Sequence, residues 1–481
     1  MSGKIIARLL GVLLLFPGIF MGICLLMALY FSEYQAAKAL GFSMGIVSCL
    51  ALGFYYFGDA SRDSVYRKEA LVVVGFGWIL SCVLGSLPYL FSDCISSIPS
   101  AVFESVSGFT TTGATVIRDI GLLPRSILLW RMLTHWLGGM GIIVLFVAVF
   151  PQMAGGAKQM FRSEVPGPVA EGLRPKIKET ALTLWKIYIF LTFVQTVFLI
   201  LAGMSIFDAF CHSISTIATG GFSTRNGSVA EYNSFLIEII IMVFMLIAGV
   251  NFSLYYAMLK GRLWSFFRNA EFRTYVGIVL LASLIISFSI SQQHSDYPTA
   301  LRHSLFQTIS VMTGTGLSTD DFGSYPAIGT SLLVCLMFIG GCAGSTSGGL
   351  KVSRVIVIFK IAYQEIVRVF RPQLRMSVRV GHSVVESGVV KSILVFVVSF
   401  IFIAGVSTVF MASLGLDVVT AFSSVVACLA NVGPGLDAVG PQETYQNIPS
   451  AGKILLTFLM LLGRLELGAL LALFIPGFWR R

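Results

Sequence analysis

Long apolar runs separated by short polar connections dominate the chain. Ten of them approach or exceed the roughly 20 residues that a helix needs to cross hydrocarbon. They are Ile5–Phe31, Gly41–Gly58, Ala70–Phe91, Ser126–Phe150, Ala181–Met204, Phe235–Leu259, Tyr275–Gln292, Ile328–Ile361, Val389–Ser413 and Ile454–Phe474. The eighth is too long for one span and is broken in its middle by GGCAGSTSGG, residues 340–349. The pattern predicts an all-α polytopic membrane protein with ten transmembrane helices.

A second kind of segment sits between some of these runs, semi-apolar, too short to cross, and ending in small and hydroxyl residues. The first contains SVSGFTTTGAT from Ser105. The others are FCHSISTIATGGFST from Phe210, FQTISVMTGTGLS from Phe306 and FSSVVACLANVGPG from Phe422. Aligned on phenylalanine, Phe103, Phe210 and Phe306 are each followed ten residues later by a glycine, Gly113, Gly220 and Gly316. A threonine precedes each of these glycines: Thr112, Thr219 and Thr315. In the fourth copy Gly433 comes one residue later, so the register is expected to slip there.

The unit is span, short re-entrant helix, polar loop, span, and it occurs four times. The division is residues 1–68 for two extra N-terminal spans, 69–178 for the first repeat and 179–273 for the second. Residues 274–385 form the third, with the broken span, and 386–481 the fourth. Repeats of this kind cannot bury their polar loops alone, and four can close a ring.

Non-helical backbone at membrane depth is tolerated only where it is buried in protein or lines a wet cavity. Four such loops can replace an ion's hydration shell with backbone carbonyls. Glycine permits the required backbone angles, and threonine adds a hydroxyl without charge. A short helix ahead of each loop points its negative C-terminal end at a cation.

Composition agrees: 56% of the 481 residues are hydrophobic and 12% charged, half the roughly 25% charged content of soluble domains. Mean hydropathy is +0.87. The net charge of +10 is placed unevenly. Basic residues gather at Arg62, Arg67 and Lys68; at Lys158, Arg162, Arg174, Lys176 and Lys178; at Lys260, Arg262, Arg268 and Arg273; and at Lys360, Arg368, Arg371, Arg375 and Arg379. The alternate connections hold few. This positive-inside pattern makes both termini (Lys4, Arg8; Arg480, Arg481) cytoplasmic and leaves no reason to invoke nucleic acid. The run after Lys4 and Arg8 is too long for a signal peptide and lacks a cleavage site, so it is expected to be a retained span. The eight cysteines form no Cys-x-x-Cys pair and suggest neither a disulfide nor a metal framework. No nucleophile–base pair appears, so an enzyme is not expected, and neither is a cofactor.

On the motifs TTTGAT, IATGGFST, MTGTGLST, LANVGPGL and GGCAGSTSGGLKVSR, the whole chain resembles the Trk/Ktr/HKT superfamily of potassium transporters, in its bacterial TrkH- or TrkG-type branch. The resemblance implies K⁺ uptake across the bacterial inner membrane through a pseudo-four-fold pore whose filter faces outside. Filter backbone carbonyls would bind the ion, with Thr111, Thr112, Gly113, Thr219, Gly220, Thr315, Gly316, Asn431, Val432 and Gly433 at the filter positions. Glycine at each filter position goes with K⁺. The fourth loop departs from Thr-Gly, which leads to an expectation of weaker cation discrimination.

The 340–349 interruption admits three interpretations: a packing notch for close helix approach, a phosphate loop, and the gating loop that the resemblance implies. The phosphate loop fails because Leu350 occupies its lysine position. The gate would comprise Gly344, Ser345, Thr346, Ser347, Gly348 and Gly349, with Lys351 and Arg354 placing positive charge on the path. Arg464, a charge near the middle of the last span, would repel cations or hold this loop closed. Glu466 lies two residues away and does not share its helix face.

Among carboxylates, Glu104, Asp119, Asp320, Asp321 and Asp437 are either mouth charges or ordinary solvated ones, and His212 is expected to be structural. The alternative mechanism is a carrier coupling K⁺ to H⁺ or Na⁺. Glu466 as the sole deep carboxylate weighs against it. The resemblance further implies a homodimer and a cytosolic TrkA-type nucleotide-binding subunit. Membrane lipid is a second partner for the basic loops.

Overall fold

A computed structural model describes residues 2–58, 66–141, 177–261, 264–294, 296–373, 377–381 and 383–479. The expected span Ser126–Phe150 beyond residue 141 lies outside them. So do Arg62, Lys158, Arg162, Arg174, Lys176, Arg262, Arg375, Arg480 and Arg481.

The N-terminal pair α1 (Gly3–Tyr30) and α2 (Tyr34–Phe57) packs closely, since a Cβ on Gly11 would lie 2.6 Å from the Ala51 carbonyl oxygen. Glu33, in the turn between them, accepts the backbone N–H of Arg125 at 2.8 Å and of Ser126 at 3.0 Å. That satisfies two of the unpaired amides at the start of a later helix. Next come α3 (Arg67–Gly85), α4 (Leu87–Phe91), the short α5 (Ile98–Phe109) and α6 (Arg125–Gly139). They are followed by α7 (Ile177–Leu201), the short α8 (Ile206–Ile217), α9 (Phe235–Ala248), α10 (Phe252–Leu259) and α11 (Trp264–Arg268).

The second half runs α12 (Ala270–Ile290), α13 (Tyr297–Thr313), α14 (Ala327–Ile339) and α15 (Val352–Phe370). A two-stranded hairpin, Arg379–Val380 with Ser383–Val384, precedes α16 (Ser387–Ser413). The chain closes with the short α17 (Val418–Leu429), then α18 (Ser450–Arg464), α19 (Gly468–Phe474) and α20 (Pro476–Trp479).

Among the described residues six helices are long and apolar enough to cross a membrane by themselves: Gly3–Tyr30, Tyr34–Phe57, Lys68–Phe91, Ala181–Leu201, Ala270–Ile290 and Ser387–Ser413. The pair α9 and α10 passes the same test together but bends by 90° at its break. Sequence patterning placed a single break, in the eighth run. Among the described residues four helices stop short of a span: α6, α9, α14 and α18. After α6 the chain turns at Gly141, with φ +70°. After α9 it turns at Gly249–Asn251, where the Asn251 side chain accepts the Ser253 N–H at 2.8 Å and starts α10. After α14 it turns at Gly340, φ +74°, and after α18 at Glu466 and Leu467, φ +53° and +54°. Apolar continuity hid the breaks after α6, α9 and α18, because apolar sequence resumes beyond each of them.

The short helices α5, α8, α13 and α17 occupy the interior. Their C-terminal halves are buried at every residue, with Phe103, Phe109, Ile217, Phe306 and Val425 all wholly covered. The eight cysteines are all free: Cys24, Cys82, Cys211, Cys342 and Cys428 are buried, Cys94 is half-buried, and Cys49 and Cys335 are exposed.

Candidate functional site

Each interior helix ends in the same local geometry. A backbone N–H reaches back to a carbonyl five residues earlier: Thr112 to Ser107 at 2.9 Å, and Gly220 to Ser215, Thr315 to Ser310 and Val432 to Ala427 at 2.8 Å. The residue before each donor is left-handed: Thr111, Thr219, Gly314 and Asn431, with φ from +53° to +70°. This is the Schellman ending of a helix. Glycine or asparagine takes that conformation readily, whereas a β-branched threonine is an outlier there. Thr111 and Thr219 are thus held by their surroundings, a strain of the sort that concentrates at functional sites.

One residue after each donor comes a glycine with positive φ: Gly113 (+82°), Gly221 (+86°), Gly316 (+75°) and Gly433 (+100°). This corrects the alignment made on phenylalanine. Gly221, not Gly220, matches Gly113, and the fourth loop does not slip relative to the others. The phenylalanines are not equivalent either. Phe103 and Phe306 are fully buried, whereas Phe210 and Phe422 are 40% and 38% exposed, and their interior places are taken by Cys211 and Ser423. One residue of shift turns a helical side chain by about 100° and moves it off the buried face. The shared backbone geometry also removes the ground for expecting weaker discrimination from Asn431-Val432-Gly433.

The loops meet in cyclic order. A Cβ on Gly113 would collide with the Gly220 carbonyl, one on Gly221 with that of Thr315, one on Gly316 with that of Val432, and one on Gly433 with that of Thr112. Each loop therefore backs against the next and the fourth against the first. Asn431 reinforces that last contact, donating to Thr112 Oγ1 at 2.9 Å and to the Met460 carbonyl at 3.0 Å.

Behind the loops lies a buried polar scaffold. Arg131 Nε pairs with Glu104 Oε1 at 2.7 Å, and its guanidinium lies 3.5 Å from the centre of the Phe222 ring. Glu104 also accepts the Val116 N–H at 2.9 Å and the Thr115 hydroxyl. Glu104 is thus not a mouth charge: it is wholly buried and ties α5 to the loop that follows it. His135 stacks on Phe222 at 4.0 Å and bonds the Gly108 carbonyl at 2.7 Å. His212 is structural, between the Asp208 carbonyl at 2.9 Å and Ser223 Oγ at 3.1 Å. Asp119 and Asp321 cap local turns, Asp437 accepts from Thr420 at 3.0 Å, and Asp320 accepts from Tyr325 at 2.9 Å.

The interruption between α14 and α15 lies against these loops. Gly348 packs on the Ala430 carbonyl and 2.9 Å from the Asn431 side chain, by the position of its would-be Cβ. Within the interruption, Gly341 N–H donates to Ser347 Oγ at 2.9 Å, and Lys351 Nζ donates to the Ser347 carbonyl. Against the neighbouring break, Cys342 N–H donates to the Gly249 carbonyl at 2.9 Å and Phe252 N–H to that of Gly344 at 3.0 Å. Thr346 Oγ1 donates to the carbonyls of Ile217 and Ala248 at 3.2 and 3.3 Å.

Arg464 gathers several elements. Nη1 donates to the Thr346 carbonyl at 2.8 Å and to Thr111 Oγ1 at 3.3 Å; Nη2 donates to the carbonyls of Gly139, at 2.8 Å, and Gly138. Two residues on, Glu466 pairs with Arg354 at 2.7 Å, so the Arg354 charge is compensated by a carboxylate. A cavity of about 70 Å³ adjoins this network, lined by Ser345, Gly349, Lys351, Arg464 and Glu466. Patterning missed Gly249, Asn251 and the buried Glu271, which accepts the Ala343 and Ser353 N–H groups at 2.7 and 3.1 Å. With Glu104 and Glu271 buried, Glu466 is not the sole deep carboxylate. An asparagine inside an apolar run, in cap position before Phe252, was the available signal for the bend.

The family profile for TrkH, described as a cation transport protein, matches residues 41–480. The Trk system potassium uptake protein TrkH of Salmonella typhimurium is 38% identical over 492 residues, covering all of both chains. The protein of the same name from Halomonas elongata is 39% identical over 490 residues, again covering both. The crystal structure of the potassium transporter TrkH from Vibrio parahaemolyticus superposes with a TM-score of 0.89 at 35% identity, covering all of both chains.

Proposed function

The chain belongs to the TrkH family of cation transport proteins, a transporter and not an enzyme, and from that premise we propose that it takes up K⁺ through a pore formed by the four loops and closed from below by the 340–351 segment. The observation that carries the proposal is the cyclic contact of Gly113, Gly221, Gly316 and Gly433 with the carbonyls of the neighbouring loops. Four backbones with one helix ending and one glycine conformation suit a ring of carbonyl oxygens that replaces the hydration shell of K⁺. The C-terminal ends of α5, α8, α13 and α17 add negative potential there.

In this account ten spans surround the pore as two leading helices and four repeats of span, pore helix, loop and span, at residues 1–68, 69–178, 179–273, 274–385 and 386–481. The filter positions are Thr111, Thr112 and Gly113; Thr219, Gly220 and Gly221; Gly314, Thr315 and Gly316; and Asn431, Val432 and Gly433. Arg464 is the latch of the gate. Its guanidinium bonds the Thr346 carbonyl and first-loop Thr111, so it holds the interruption under the filter and sets positive charge on the path. A gate of this kind acts by population shift: only an input with different affinity for open and closed forms moves it.

Such an input fits a cytosolic TrkA-type subunit binding to the basic loops. The relatives named above are parts of a Trk system. A homodimer in the bacterial inner membrane, with both termini cytoplasmic, completes the proposal. Its test is ion flux into liposomes carrying the purified protein, comparing K⁺, Rb⁺ and Na⁺ with and without an imposed proton gradient. Downhill K⁺ flux indifferent to the gradient supports the pore. Flux that stops without it supports a carrier coupled to H⁺ instead.

A further inference from the structure

The carboxylate of Glu271 lies far from the filter residues in sequence and on a different helix from every gate residue. It occupies the second position of α12, whose first turn is capped by Asn269 accepting the Phe272 N–H at 2.9 Å. An acidic side chain there ordinarily serves the free amides of its own helix. Glu271 does not. Its Oε1 accepts the N–H of Ala343 at 2.7 Å and of Ser353 at 3.1 Å, and the residue is 7% exposed. Ala343 lies just ahead of Gly344, and Ser353 is the second residue of α15. One oxygen therefore holds the two ends of the interruption together.

We propose that Glu271 is the positioning residue of the gate: it fixes the ends of the 343–353 segment so that Thr346 and Ser347 stand under the filter, within reach of Arg464. This rests on the gated-pore proposal above. Without the clamp the two amides lose their acceptor in a buried place, and the segment relaxes toward conformations in which water can reach them. Arg464 then has a displaced partner. The hydrogen bonds need an acceptor atom and not specifically a charge, so glutamine in place of Glu271 retains the clamp.

The experiment measures K⁺ flux through the purified chain in liposomes, without a cytosolic subunit, for Glu271→Gln, Glu271→Ala and Glu271→Met, beside Arg464→Ala. Alanine and methionine remove the acceptor, and methionine keeps the volume. Both are expected to raise K⁺ flux by roughly tenfold, the scale of losing a hydrogen bond to a charged group, while Glu271→Gln stays near the unmodified protein. Wild-type flux in Glu271→Ala and Glu271→Met beside a leaking Arg464→Ala overturns the role of Glu271 alone. Wild-type flux in Glu271→Ala, Glu271→Met and Arg464→Ala alike overturns the gate itself. If only the alanine and methionine variants fail to give folded protein, Glu271 is a structural residue and the proposal falls.

Discussion

Arg464 Nη1 lies 2.8 Å from the carbonyl oxygen of Thr346, joining α18 to an interruption that begins more than a hundred residues earlier in the chain. The same guanidinium reaches Thr111 of the first loop and the carbonyls of Gly138 and Gly139, where α6 ends. A guanidinium held among apolar helices is unfavourable unless its donors are satisfied. Four acceptors on three elements offset that cost and explain how the arginine is accommodated. They also mean that the interruption cannot leave its place without breaking charge-assisted bonds.

The Arg354–Glu466 pair, 2.7 Å apart, adds a tie between α15 and the turn that follows α18. Either Arg354→Glu or Glu466→Arg alone places like charges together and is expected to raise basal K⁺ flux in liposomes. The reversed pair, Arg354→Glu with Glu466→Arg, is expected to return flux toward the starting level. Residues in contact couple by about 0.5–3 kcal/mol, so the double variant should fall clearly short of the product of the two single effects. A simple product would show that the pair plays no part in closure.

Gly221 is the residue on which the corrected register turns. Its φ of +86° and its approach to the Thr315 carbonyl leave no room for a side chain. Left-handed backbone alone costs a residue with a Cβ roughly 1–2 kcal/mol. Gly221→Ala is expected to lower K⁺ uptake by about tenfold or more and to narrow the preference for K⁺ over Na⁺. Gly277→Ala, with open space around its would-be Cβ, serves as the control and should leave both unchanged. Normal selective uptake by Gly221→Ala would remove this loop from the filter.

Much of this was legible in the amino-acid order, and the parts that were not share a physical cause. Four polar loops among apolar runs, the interruption at 340–349 and the charge of Arg464 all stand out because they violate the local pattern. The breaks after Gly139, Ala248 and Arg464 do not, since apolar residues continue across them. The register of the second and fourth loops was hidden by phenylalanines at both interior and exterior positions. Glu271 and Glu104 were invisible as a clamp and a brace because their partners are backbone amides or residues on other helices, which no local spacing reveals.

Glu104 and Arg131 are both essentially unexposed and only 2.7 Å apart. Removing one member of a buried pair strands the other charge and typically destabilises by about 3–5 kcal/mol, whereas replacing both with apolar residues of similar size is often near neutral. Arg131→Met alone is therefore expected to lower the thermal midpoint of the purified protein strongly. Glu104→Leu combined with Arg131→Met should recover most of that loss. If the double variant is less stable than the single one, the pair matters through the Val116 and Ser223 backbone contacts rather than through charge compensation.

The most direct test of a pore closed by an arginine latch is K⁺ flux into liposomes through purified Arg464→Ala, at fixed membrane potential and without a cytosolic subunit. Losing charge-assisted bonds to Thr346, Thr111 and the end of α6 is expected to raise flux by roughly tenfold or more, with K⁺ still preferred over Na⁺ because the loops themselves are unchanged. Flux equal to that of the unmodified protein, from a variant that is correctly folded and equally abundant in the membrane, would contradict the account.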